Sequence, residues 1–461
     1  MTESVHEQTK EITELILKAR DKARQETQME PTPELTKKVN WPVSTTIGPG
    51  LEGAIACESK IGFVNGSKGW LIYQGYDIFD LCAFSTYEEV SYLLLNGHLP
   101  NKEQLKMFKE KLNSYRTLPL TKRLLMSFPI ERMSPMAALR LGTELVRQNQ
   151  VSKNPQDADM HHIYNMTMIS SDEDSIAMET KPTGHEKAIY EFSANLSGSE
   201  ELEDCFKLIA AAPSILGTIA RLREGYLPFE PDLELSHAAN LLYVLTGKKP
   251  NPVEERIMDI CLILHADHGM NASTFASMVV ASTLSDIYFS VGAGIAALSG
   301  PLHGGANEQV VKMLEEIGNI DNVQPWLAKQ QATGKRIMGM GHRVYKAYDP
   351  RARVLGPLAE LAVKNNPSSA NKYQIAKELE KSCSHLGETK SIFPNVDFYS
   401  GIVYNALGIK PELYTPIFAV ARMAGWTARV LEYLQHNRIF RPRAIYTGEF
   451  DNKYVPIEER P

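Results

Sequence analysis

Four short clusters hold the side chains of this sequence that could move protons or grip anions. The first, His265-Ala-Asp-His-Gly-Met-Asn271, closes an apolar run. Two histidines, an aspartate and an asparagine there either complement a helix C-terminus or serve chemistry. The spacing of His265, Asp267 and His268 also admits metal ligation. The second is Gly300-Pro-Leu-His-Gly-Gly-Ala-Asn307, which places His303 just before an expected helix over 306–317. The positive end of the helix dipole disfavours a protonated imidazole and lowers its pKa. A neutral imidazole can still donate one hydrogen bond to a developing oxyanion, and the glycines admit a ligand close to the backbone. The bland alternative is a glycine-rich loop with an incidental histidine.

The third cluster, Met338-Gly-Met-Gly-His-Arg-Val-Tyr-Lys-Ala-Tyr-Asp-Pro-Arg351, gathers His342, Arg343, Lys346 and Arg351. Such a cationic loop suits carboxylate or phosphate ligands. Its Gly-x-Gly is too short for a dinucleotide fingerprint. In the fourth, Phe393-Pro-Asn-Val-Asp-Phe-Tyr-Ser-Gly401, Asp397 lies between Val396 and Phe398. A carboxylate in an apolar wall is a stronger base; a plain helix N-cap is the competing reading. Downstream, Arg422 falls on a largely apolar helix, where a buried guanidinium needs an anion. Arg441-Pro-Arg443 follows near the C-terminus. No nucleophile elbow or phosphate-binding GxxxxGK[ST] loop is present. The set suits proton abstraction beside a carbonyl, with a dicarboxylate held by arginine forks.

The elements that must position these groups read as mostly helical. Residues 1–40 are polar, with a weak helical period at Ile12, Leu15, Ile16 and Leu17, and suggest a loosely attached helix or arm. Glycines and short β-type runs over 41–75, such as Ile61–Val64 and Trp70–Tyr73, suggest a small sheet. Thr86-Tyr-Glu-Glu89 has the capping-box pattern. Helical periods recur at 204–223, 234–246, 253–265, 272–299, 306–317, 355–365, 372–384, 398–407 and 416–437. The predicted fold class is therefore predominantly α with a small N-terminal β region. Residues 150–203 break the density and read as an exposed acidic insertion.

Of the 461 residues, 43% are hydrophobic and 23% charged, which fits a folded globular chain of two or three domains. The net charge of −6 leaves no electrostatic footprint for nucleic acid or an anionic membrane. No run approaches 18 uninterrupted apolar residues, so no membrane span is expected. Cys57, Cys82, Cys205, Cys261 and Cys383 are odd in number and scattered, which argues against a disulfide framework or zinc ribbon. A reducing, cytoplasmic setting is expected, and the polar N-terminus lacks a secretory signal pattern.

With these segments in view, the sequence resembles the citrate synthase family, in its short bacterial and archaeal form. The resemblance rests on Leu235-Ser-His-Ala-Ala-Asn240, His265-Ala-Asp-His268, Gly300-Pro-Leu-His-Gly-Gly-Ala-Asn307, Gly341-His-Arg-Val-Tyr-Lys346 with Asp349-Pro-Arg351, Pro394-Asn-Val-Asp397, and Arg441-Pro-Arg-Ala-Ile-Tyr-Thr-Gly448. Gly50-Leu-Glu-Gly-Ala-Ile-Ala-Cys-Glu-Ser59 and Tyr73-Gln-Gly-Tyr-Asp-Ile78 add to it. It implies a two-domain helical homodimer whose domains close over substrates. The small domain would span 305–408 and the large one 41–304 and 409–461, beyond a polar arm over 1–40.

The implied reaction condenses acetyl-CoA with oxaloacetate and hydrolyses citryl-CoA to citrate and CoA. By position, Asp397 matches the base, His303 the group that steadies the enol, and His342 the acid at the oxaloacetate carbonyl. His268, Arg351 and Arg422 match oxaloacetate ligands, and Arg441 the arginine given by the partner subunit. Gly341, Lys346 and Lys390 would contact CoA. No cofactor and no metal is implied, since acetyl-CoA is a substrate. Propionyl-CoA use, as in 2-methylcitrate synthase, remains open, because one methyl in an acyl pocket is worth only about 1–3 kcal/mol. A metal-dependent hydrolase at His265, Asp267 and His268, or a non-catalytic helical scaffold, are the rivals of other classes.

Overall fold

A computed structural model describes residues 2–30, 36, 40–151, 200–449 and 454–460. Most of the acidic insertion, from 152 to 199, lies outside the described residues. The chain opens with helix α1 (Thr2–Glu26), followed by an antiparallel sheet of β1 (Gly62–Asn65), β2 (Trp70–Tyr73) and β3 (Tyr76–Asp77). β1 pairs β2 in the register Gly62 with Tyr73 and Asn65 with Trp70. Then come α2 (Ile78–Phe84), α3 (Tyr87–Asn96), α4 (Lys102–Ser114), α5 (Pro119–Met126) and α6 (Pro135–Val151). The expected capping box is present: Thr86 accepts from the Glu89 N–H, and the Glu89 carboxylate accepts from the Thr86 N–H.

Beyond the insertion, α7 (Glu200–Arg223), α8 (His237–Thr246), α9 (Pro252–His265), α10 (Ala272–Ala281) and α11 (Ile287–Leu298) lead to the His303 loop. By length and composition α7 could cross a membrane, contrary to the reading of the sequence. Its most apolar stretch is nevertheless 78% buried against the rest of the chain, as in a core helix. The single helix expected over 272–299 is two. Leu284 takes a left-handed φ of 64°, and Asp286 starts α11 by accepting from the Phe289 N–H at 3.0 Å.

The chain continues through α12 (Ala306–Ile317), α13 (Val323–Thr333), α14 (Pro350–Asn365), α15 (Ala370–Ser382), α16 (Ser384–Lys390), α17 (Val396–Ala406) and α18 (Tyr414–Leu434). Every residue of α18 from Tyr414 to Leu431 is buried. A helix buried on all sides runs through the core, and α18 packs against α3, α6, α7, α9, α10, α11 and α12. Arg422 and Arg429, seven residues apart, fall on one face of it.

The N-terminal segment forms the helix that its period suggested, but α1 is not loosely attached. Ile12, Ile16 and Ala19, at i, i+4 and i+7, are buried, and α1 packs on α2, α9 and α14. Arg20 pairs with Asp80 at 2.7 Å, Arg24 with Asp77 at 3.4 Å, and Glu26 with Arg353 of α14. Half-exposed pairs of this kind contribute little, so the apolar stripe carries the docking. A stripe of three buried residues is easy to underrate in so polar a segment. Ile16→Ala should cost about 2–4 kcal/mol in a denaturant titration. A change within error would mean that α1 does not belong to the cooperative unit.

Candidate active site

The tight approach of α18 to the segment after α9 builds one wall of the site. A side chain at Gly425 would lie 2.2 Å from the Ala266 carbonyl oxygen, so only glycine fits. On one side of this contact, Arg429 grips Asp267 through Nε–Oδ1 at 2.7 Å and Nη2–Oδ2 at 2.8 Å. On the other, Arg422 Nε donates to the His265 carbonyl at 2.5 Å. Tyr73 of β2 donates to the Asp267 carbonyl at 2.8 Å and accepts from the Asp267 N–H at 3.2 Å. The His265–Asn271 turn is thus pinned from two sides. Asp267 is spent on Arg429, and His265 Nδ1 lies 2.7 Å from the Cys261 carbonyl, to which it donates. Both commitments argue against the metal reading of this cluster, and no metal-ligating group of three exists among the described residues.

Arg422 is 1% exposed and forms no ion pair among the described residues. Its Nη2 is buried without a hydrogen-bond partner among them. Burial pulls this guanidinium down to about 10. Arg351, 2% exposed, is held by Asp349 in a two-bond fork, Nε–Oδ1 at 3.0 Å and Nη2–Oδ2 at 2.8 Å. The two arginines differ accordingly: one is neutralised within the chain, the other awaits an anion.

Burial favours the neutral form of both histidines, and backbone donors beside each ring favour one tautomer. The Ser273 N–H donates to His303 Nε2 at 3.2 Å. A backbone N–H can only donate, so Nε2 accepts and the ring proton sits on Nδ1. For His342 the arrangement is reversed. The N–H groups of Val344 and Tyr345 donate to Nδ1 at 3.0 and 3.2 Å, leaving the proton on Nε2. Both pKa values fall to about 4. Burial is the main cause in each case, helped by the Arg422 charge at His303 and the Arg351 charge at His342. His303 sits in the turn before α12, whose N-cap is Gly305. His268 is buried, and its Nε2 lies 3.2 Å from the Tyr345 hydroxyl. Its ring centroid is 5.3 Å from that of His342, so these two meet in one place.

Asp397 is not the N-cap of α17. Asn395 takes that role, accepting from the Asp397 N–H at 3.0 Å, and leaves the Asp397 carboxylate free. Asp397 is 9% exposed, and its Oδ1 has no partner among the described residues. Burial raises its pKa to about 7 against the opposing pull of Arg351. The Asn395 side chain also donates to the Gly341 carbonyl at 2.9 Å. The Gly341 N–H in turn donates to the Phe393 carbonyl at 2.7 Å, and the Asn395 N–H to the Gly339 carbonyl at 2.8 Å. These bonds zip the His342 loop to the start of α17, so His342 and Asp397 share one end of the site.

The remaining expected residues fall elsewhere. Arg441 is exposed, its guanidinium donating to the adjacent Pro442 carbonyl at 3.3 Å, and it joins none of these contacts. Lys346 and Lys390 are also exposed, and Gly341 is half-buried. Four supporting residues escaped the reading of the sequence: Ser273, Asn395, Arg429 and Tyr345. For Arg429 a signal existed, its seven-residue spacing from Arg422 on an apolar helix. Asn395 lies two residues from the group it frees, and Ser273 and Tyr345 act across long stretches of chain.

The comparisons with known proteins agree with this architecture. The model of the citrate synthase C-terminal domain matches residues 50–443. The citrate synthase of Deinococcus radiodurans is 40% identical over 416 residues, covering 90% of this chain and all of the relative. That of Haloferax volcanii is 41% identical over 421 residues, covering 89% and 98%. Among solved structures, citrate synthase from Pyrobaculum aerophilum superposes with a TM-score of 0.75 at 37% identity, covering 93% of this chain and 100% of that one. The Thermoplasma acidophilum enzyme, solved as a ternary complex with carboxymethyl coenzyme A and oxaloacetate, gives 0.75 at 31% identity, covering 90% and 100%. Fold and comparisons together define an all-α enzyme of the acyl-transferring class. More narrowly, the chain belongs to the citrate synthase family.

The titration of Asp397 has a measurable sign. An acid whose folded pKa is raised holds its proton more tightly in the fold than in the unfolded chain. Its contribution to stability is full below the ordinary 3.8 and is lost as pH rises through about 7. Asp397→Asn should therefore gain melting temperature over the native chain at pH 8 and gain little at pH 4. An equal difference at both pH values would show that Asp397 ionises normally.

Proposed function

We propose that this chain is a citrate synthase that condenses acetyl-CoA with oxaloacetate and hydrolyses the resulting citryl-CoA. The observation that carries the reading is a pair of unsatisfied buried charges, the free carboxylate of Asp397 and the free Nη2 of Arg422, in a site with two neutral histidines. In this reading Asp397 removes a methyl proton from acetyl-CoA. Because a thioester α-proton is a weak acid, the Nδ1–H of His303 must support the developing enol oxygen in the same step. The enol carbon attacks the ketone carbon of oxaloacetate, the ketone π electrons move to its oxygen, and that oxygen takes the Nε2 proton of His342 to become the hydroxyl of citryl-CoA. The proton taken up by Asp397 makes good that loss, so the site returns to its starting state. Water then cleaves the thioester, releasing citrate and CoA.

Arg422 and Arg351 would hold the oxaloacetate carboxylates, with His268 beside them. Arg422 suits this because its unpaired guanidinium gains a charge-assisted bond on binding. Gly341, Lys346 and Lys390 would meet CoA. We assign Arg441 to the site of a second copy, since it is exposed and forms no ion pair among the described residues; the active unit is then a homodimer, in a cytoplasmic setting. Helices over 305–408 would form the small domain that closes on the substrates and excludes water from the enol.

Release of free CoA from acetyl-CoA and oxaloacetate, followed with a thiol reagent, tests the reading. Turnover with acetyl-CoA should exceed that with propionyl-CoA in kcat/KM, and a reversed ratio would make the enzyme a 2-methylcitrate synthase. Asp397→Asn should lower kcat by a factor of about 10² or more; near-native turnover would remove Asp397 from its role. In the active enzyme kcat/KM should rise with pH through about 7 as Asp397 ionises. His303 and His342, already neutral above about 4, should add no further limb between pH 5 and 8. Inactive Arg441→Ala and Asp397→Asn chains, mixed under exchange, should regain partial activity. A mixture that stays inactive would place Arg441 within its own chain's structure.

A further inference from the structure

Tyr345 is 2% exposed and touches three groups of the site at once. Its hydroxyl lies 3.2 Å from His268 Nε2. Its backbone N–H is one of the two that donate to His342 Nδ1, and the two rings stand 4.9 Å apart between centroids. The Arg351 guanidinium lies 5.7 Å from the centre of its ring. Nothing in the proposed chemistry requires a phenol, yet this one is buried where the ligands converge.

The backbone on either side of Tyr345 is clamped. Lys346 and Ala347 donate their N–H groups to the Gly66 carbonyl at 2.9 and 3.2 Å. Gly66 lies in the turn between β1 and β2, and a Cβ there would sit 2.0 Å from the Val344 carbonyl oxygen. The clamp removes the freedom of the loop at residues 344–347, so the phenol is presented to His268 from a fixed base. A bond between two preorganised buried groups loses less entropy on forming than one between mobile side chains.

We propose that Tyr345 is a positioning residue for oxaloacetate binding, whose hydroxyl holds the buried His268 ring in the orientation that receives the substrate. This deepens the functional reading above and rests on it. Phenylalanine at 345 would keep the ring beside His342 and Arg351 and the backbone bond to His342, and would remove only the bond to His268. The buried Nε2 would then lose its partner inside the chain.

A double-mutant cycle tests this. Oxaloacetate affinity is measured by calorimetry for the native chain, Tyr345→Phe, His268→Asn and the double variant, with thermal melts to confirm folding. Tyr345→Phe should weaken oxaloacetate roughly tenfold and raise KM for oxaloacetate by more than it lowers kcat. In the His268→Asn background the same change should cost less than about twofold, because the partner is gone. Equal losses in both backgrounds, or no loss in the native one, would overturn the proposal. Where His268→Asn abolishes measurable binding, the ¹⁵N shifts of the histidine rings decide: Tyr345→Phe should move those of His268 and leave those of His303 in place, and unmoved His268 shifts would overturn it. A native chain that binds no oxaloacetate would instead overturn the functional reading itself, and this proposal with it.

Discussion

A guanidinium buried without a counter-ion is the constraint around which this protein is arranged. Arg422 lies in the middle of a helix that is buried on every side. Its Nε reaches one carbonyl, and its Nη2 reaches no acceptor among the described residues. Removing a charge from water costs several kcal/mol unless an anion offsets it. The fold tolerates that cost because the neighbouring helices hold α18 rigidly and the Arg429–Asp267 pair, on the same face, is fully satisfied. One arginine anchors the wall and the other is left open. An anionic ligand would recover stabilisation that the empty fold forgoes, and the binding free energy would be concentrated at that point.

The small sheet makes sense in the same terms. Three short strands bury little in a protein otherwise built from helices, but they deliver two contacts that helices could not. Tyr73 locks the backbone of Asp267, and the Gly66 turn receives the backbone of residues 346 and 347. The His268 turn and the His342 loop, far apart in the chain, are therefore referred to one hairpin. A rigid reference of this kind matters where displacements near ~1 Å cost catalysis heavily. Helix α1 plays a related part at the outer side, where it spans α2, α9 and α14 and so touches both the helix that ends at His265 and the helix that begins beside Arg351.

Much of this was legible in the sequence, and the exceptions have a common cause. The motifs around His268, His303 and Asp397 fall beside the ends of helices whose periods were clear, and His342 falls in the glycine-bounded loop expected of it. The capping box at Thr86 and the β runs at 61–64 and 70–73 are local signals too, and they appear within a residue or so of expectation. What local reading could not resolve was competition between roles. Asp397 and Asn395 are two residues apart, and either type can cap a helix; only the extended backbone at Asn395 assigns the cap to it and frees Asp397. The break between α10 and α11 depends on one left-handed residue, Leu284, in a stretch over 282–286 with no glycine or proline. Ser273 and Tyr345 act on partners distant in sequence, and no periodicity encodes that; for Arg429 the spacing from Arg422 marks its face of the helix but not its partner Asp267. At the N-terminus the helix was legible and its firm docking was not, since three buried residues among many polar ones give a faint period but a sufficient contact.

Burial is the largest influence on the ionisation of His303, His342 and Asp397. Removing water raises an acid and lowers a base, because in both cases the charged form is the one that suffers. The same dry environment that lifts Asp397 to about 7 takes His303 and His342 down to about 4. Near neutral pH the two histidines are uncharged donors, each with its proton on a defined nitrogen, while the carboxylate is poised between its two forms. A site with water would give the reverse order, with charged histidines and a weak carboxylate base at moderately acid pH. The opposed shifts need no dedicated device at each residue. They follow from partial burial of the histidines and near-complete burial of Asp397, together with the charges of Arg422 and Arg351 beside the histidines. Any change that wets this space should therefore weaken the base and protonate its partners together.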